Sequence, residues 1–79
     1  MNREDIRVER QSKVKDLRAW ADRLDPASPA LARYFRSEAD HIEAPDRRYD
    51  TYGATMMSGK VNGLIAAAHI LLEEWAAHH

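Results

Sequence analysis

The chain has 79 residues and no cysteine; 44% are hydrophobic, 32% are charged, and the formal net charge is -1. Those figures bound it to one domain, exclude a disulfide scaffold or cysteine metal site, and leave little material to wall off an enzyme cleft. They also exclude a disordered tail, since there is apolar mass to bury, and the near-neutral balance gives no bulk attraction to nucleic acid.

The periodicity predicts an all-α chain of three helices, a small bundle in one domain. The first helix spans about 2–24. Asn2 can cap it, and Glu4 and Asp5 sit where the helix dipole favours acids. At about 100° per residue, Ile6, Val14, Leu17, Trp20, Ala21 and Leu24 share one face. The opposite face is charged, and Glu9 and Lys13 form an i,i+4 pair in the favourable order. Asp25–Pro26 ends the helix, because a residue before proline leaves the α region.

The second helix spans about 29–43. Ser28 followed by Pro29 is a strong start signal, a capping serine and then a first-turn proline. Leu31, Phe35, Ala39 and Ile42 make one apolar stripe, flanked by Tyr34. The short linker from Asp25 to Ala27 predicts an antiparallel hairpin with the first helix. Pro45 stops the helix, and a loop of about 44–54 follows.

The third helix spans about 55–77 and is highly apolar: 14 of the 22 residues from Met56 to Ala77 are apolar. Met57, Val61, Leu64, Ala68, Leu71, Leu72 and Trp75 form one face. Gly59, Gly63, Ala66, Ala67 and Ile70 form a second face of mostly small residues. Thr55, Ser58, Asn62, His69 and Glu73 form a narrow polar strip. A helix apolar over most of its circumference needs cover on more than one side. Glycine inside a helix costs about 1 kcal/mol relative to alanine, so two of them suggest that another backbone comes close. That backbone belongs either to the first two helices or to a second copy. We expect the second copy, with Gly59, Gly63, Ala66, Ala67 and Ile70 as an oligomer interface, because small cores often need oligomerisation. A helix beginning only after Gly59 is the plainer alternative. Leucine at Gly63 is expected to overpack a close contact. Trp20 and Trp75 are expected to be mostly buried, near opposite ends of the core's helices.

Candidate chemistry is sparse. Arg47, Arg48, Tyr49, Tyr52, Thr55 and Lys60 could bind a phosphate-bearing small ligand, since guanidinium forks, phenols and a helix N-terminus suit an anion. The glycines there match no phosphate-loop spacing, and a solvated loop explains the same residues. Glu38 with His41, and His69 with Glu73, have metal-ligand spacings, but the second pair reverses the usual bundle order. No metal or other cofactor is therefore expected. No serine, histidine or carboxylate set supports catalysis, so the chain reads as non-enzymatic. Arg3, Arg7, Arg10 and Arg18 give the first helix a basic edge that a DNA-binding regulator could use, although ordinary solvated charge is the better account of it.

The expectation is a small adaptor, inhibitor or regulator that binds protein and forms a homo-oligomer. Phosphate-ligand capture is the first alternative and DNA binding the second. No run is long enough for a membrane span, and Met1–Arg10 lacks the apolar core of a signal peptide, so a cytoplasmic protein is expected. Nine arginines against three lysines fit a GC-rich bacterial or phage genome. No functional weight falls on His78–His79.

Overall fold

The structure, a computed structural model, describes residues 3–43 and 51–78, with side chains described for 4–43 and 58–78. Three helices and no strand occur among the described residues: α1 (Arg3–Leu24), α2 (Pro29–Glu43) and α3 (Thr51–Ala77). α3 begins at Thr51 rather than near Thr55 and takes in both Gly53 and Gly59. A glycine costs about 1 kcal/mol in a helix, too little by itself to halt one.

Local chemistry sets the α1–α2 turn. Ser28 Oγ accepts a hydrogen bond from the Leu31 backbone N–H at 3.2 Å, which satisfies one of the free donors of the first turn of α2. The backbone N–H groups of Ala27 and Ser28 donate to the Leu24 carbonyl at 2.9 and 2.7 Å and close the end of α1. The two helices then run antiparallel, and ion pairs staple them. Arg36 reaches Asp22 at 3.0 Å and Asp25 at 3.5 Å, and Arg18 reaches Asp40 at 3.0 Å and Glu43 at 2.9 Å.

α1 is the shared element, packed against both α2 and α3. Val14, Leu17, Ala21 and Leu24 of α1 meet Ala32, Phe35, Ala39 and Ile42 of α2 and Val61 and Ala68 of α3 in one buried cluster. Ala32 joins this core, while Tyr34 is exposed and Leu31 half-buried. The molecule is elongated, about 45 × 18 × 14 Å.

α1 and α3 run parallel in a constant register. Ser58 Oγ donates to Glu9 Oε1 at 2.7 Å, and Lys13 Nζ donates to Asn62 Oδ1 at 3.3 Å, each pair 49 residues apart in sequence. Trp20 and His69 keep the same offset, with ring centroids 4.5 Å apart and planes at 62°. The Arg23 guanidinium covers Trp20 at 4.2 Å, a cation–π contact. Ser58, Asn62 and His69 of the polar strip thus meet α1 along a seam. Parallel packing also corrects the expectation for the tryptophans. Trp75 lies further along the same direction as Trp20, toward the same end of the bundle, and both are half-buried rather than buried.

Candidate functional site

The two faces of α3 have different fates. Val61 and Ala68 are fully buried, and Leu64, Ile65, Leu71 and Leu72 pack partly buried around the core. The large side chains turn inward because each gains about 1.5–3 kcal/mol from full burial, whereas glycine and alanine gain little. The second face then points away. Gly59, Gly63, Ala66, Ala67 and Ile70 are all exposed, and Ile70 retains 63% of its surface. Ile70 lies about 180° around the helix from Val61.

Among the described residues, neither glycine is close to the backbone of another element. A Cβ built on Gly59 or Gly63 meets no atom within 4 Å. A close approach by α1 or α2 is therefore excluded, and a Cβ at Gly63 meets open space within one chain, with no tight contact beside it for leucine to overpack. From Val61 to Leu72 the helix carries no formal charge, with Lys60 before this stretch and Glu73 and Glu74 after it. Lys60 Nζ sits 2.8 Å from Glu38 Oε2 on α2, and Glu74 is largely exposed beside His78 at 3.9 Å.

The candidate anion site is not assembled among the described residues. Arg47, Arg48 and Tyr49 lie outside them, as do the side chains of Tyr52 and Thr55. Lys60 is engaged with Glu38 across the α2–α3 gap. The basic edge of α1 is largely spent on pairs within the chain. Arg7 bonds Glu4, Arg10 Nη2 donates to the Ile42 carbonyl at 2.7 Å, and Arg18 holds Asp40 and Glu43. The Arg3 side chain lies outside the described residues.

These arginines line a groove of about 550 Å³ between α1 and the end of α2, with Val14 and Ile42 supplying its apolar surface. Hydrogen bonds from Arg18, followed by its charge, hold the Glu43 carboxyl below the usual glutamate range. Hydrogen bonding and then charge from Arg7 do the same to Glu4. Both are surface pairs, which orient the groove wall more than they stabilise the fold.

No three His, Asp or Glu side chains converge on a metal-sized site among the described residues. Glu38 faces Lys60, and His69 faces Trp20. No helix among the described residues is long and apolar enough to cross a membrane. Comparison with known proteins finds no matching family model, no matching curated protein and no matching solved structure.

The face on α3 therefore stands out. Its five residues were grouped by spacing alone. Charged residues stand at its margins by the same spacing: Lys60, Ala67 and Glu74 recur every seven residues on one flank.

Proposed function

We propose that this chain is a small non-enzymatic interaction protein, an adaptor, inhibitor or regulator that works as a homo-oligomer through the outer face of α3. One observation carries the reading. Gly59 and Gly63 open onto free space, beside an isoleucine that is 63% exposed, on a face without charge. A helix that forgoes stability at two glycines and leaves a large aliphatic side chain in water is matched to a surface that covers it. Phosphate capture at Arg47–Thr55 and DNA binding on α1 gain no comparable support. Lys60 is turned to Glu38, and the described arginines of the α1 edge are paired within the chain.

Light scattering across a concentration series tests the reading. The wild type is expected to rise above the 9.1 kDa of one chain, and Ile70→Asp to stay at that mass while remaining helical. A wild type that stays monomeric at every concentration defeats the homo-oligomer reading. Assembly that survives Ile70→Asp removes this face from it.

A further inference from the structure

Resting on that reading, we propose that the outer face of α3 is covered by α3 of a second copy running antiparallel, the two related by a two-fold axis beside Ala67. A two-fold interface uses the same patch on both copies, so every contact occurs twice and the patch must complement itself. This face does so in shape and in charge.

The shape match pairs the large residue with the absent one. With the axis beside Ala67, Ile70 of one copy stands over Gly63 of the other. Ile70 is the exposed knob, 63% accessible, and Gly63 is a notch with open space where its Cβ would be. Ala66 and Ala67 occupy the centre, where small side chains let two backbones come close. The match is reciprocal, since Gly63 of the first copy receives Ile70 of the second.

The charge match selects the orientation. Lys60, Ala67 and Glu74 lie on one flank of α3 at seven-residue intervals. In an antiparallel pair, like flanks face each other. A two-fold at Ala67 therefore sets Lys60 of each copy beside Glu74 of the other. Lys60 already meets Glu38 in its own chain, but an ammonium has three donors and can serve both carboxylates. A parallel pair does the opposite. It stacks Ile70 on Ile70 and Gly63 on Gly63, which leaves a void, and it turns the flank of Lys60 and Glu74 toward the opposite flank of the other copy, so the Lys60–Glu74 pairing is lost.

The lack of native cysteine allows a direct test in the full chain. Ala67→Cys and Gly59→Cys are made singly; both positions are solvent-facing, and a Cβ at Gly59 meets nothing. Each variant is oxidised in a glutathione buffer and run on a non-reducing gel, beside light scattering of the wild type. The antiparallel pair brings position 67 of one copy within disulfide reach of position 67 of the other, roughly 4.4–6.8 Å between Cα atoms. It holds the two copies of position 59 apart by more than about 20 Å along the axis, at 1.5 Å per residue. The expected result is rapid dimer from Ala67→Cys, little from Gly59→Cys, and loss of the Ala67→Cys dimer when Ile70→Asp is added. Equal cross-linking of both single variants means a parallel pair and overturns the proposal. Absence of cross-linking in a wild-type-like dimer also overturns it, while leaving self-association itself intact. A wild type that is monomeric throughout removes both the proposal and the homo-oligomer reading beneath it.

Discussion

Arg18 grips Glu43 as a fork: Nη1 lies 3.0 Å from Oε2 and Nη2 lies 2.9 Å from Oε1, across 25 residues of sequence. The same Nη2 also reaches Asp40 at 3.0 Å, so one guanidinium joins the middle of α1 to the last turn of α2. The planar fork fits a carboxylate in two places at once, which a lysine cannot reproduce.

That pair sets an acid dependence. The folded Glu43 pKa is lowered, with the hydrogen bonds from Arg18 as the largest cause. A carboxyl lowered on folding contributes stability that is complete above its unfolded pKa and is lost as pH falls through the folded one. Thermal melts from neutral to acid pH are expected to show a smaller acid loss for Glu43→Gln than for the wild type. Because the pair is exposed, the neutral-pH difference should be slight and should shrink in high salt. Identical acid profiles for the two proteins count against the assignment.

The outer glycines predict a conflict between stability and assembly. Gly59→Ala and Gly63→Ala place a methyl group in open space within one chain. Each is expected to stabilise the monomer by about 0.5–1 kcal/mol, which raises Tm by several degrees in a domain of this size. Gly63→Ala should also weaken self-association, because it fills the notch for Ile70. Melting curves and light scattering on the same samples separate the two effects. An unchanged or lower monomer Tm contradicts the open-face geometry.

The flank charges predict an ionic-strength signature. Glu74→Lys sets two lysines beside each other in the antiparallel pair and is expected to weaken self-association about threefold or more at low salt. The deficit should fade above about 0.5 M salt, where charges more than a few ångströms apart are screened. Sedimentation equilibrium at two salt concentrations measures it. A loss of association that is the same at both points to a cause other than charge.

Phe35 tests the shared core. It is 1% exposed and is the largest fully buried side chain among the described residues, in the core where α2 meets α1. Phe35→Ala is expected to cost about 3–5 kcal/mol, comparable with the whole stability of a domain this small. Circular dichroism in urea should show the variant largely unfolded or with a sharply reduced midpoint. A mild effect is evidence that α1 and α2 form a looser hairpin than their burial implies.

Ser28 tests the local turn alone. Ser28→Ala removes the acceptor for the Leu31 N–H and is expected to cost about 1 kcal/mol. Restoration by Ser28→Asp, another good capping residue, distinguishes loss of the cap from a change in the turn.

Helix positions, caps and faces were legible without the fold, because they depend on residues three or four apart. Ser28–Pro29 marks a start, Asp25–Pro26 marks a stop, and Leu17, Phe35 and Val61 announce core stripes by spacing. The same spacing separated the two apolar faces of α3, but it could not decide which one turns inward. That depended on the stripe that α1 presents and on the greater gain from burying Val61 and Leu64 than Gly59 and Gly63. Tertiary structure alone also settled the parallel register of α1 and α3, which turns Ser58, Asn62 and His69 into partners of Glu9, Lys13 and Trp20. Ion pairs such as Arg18–Glu43 were beyond sequence for the same reason. A charge finds its partner through distances set by packing, and helical periodicity contains no information about them.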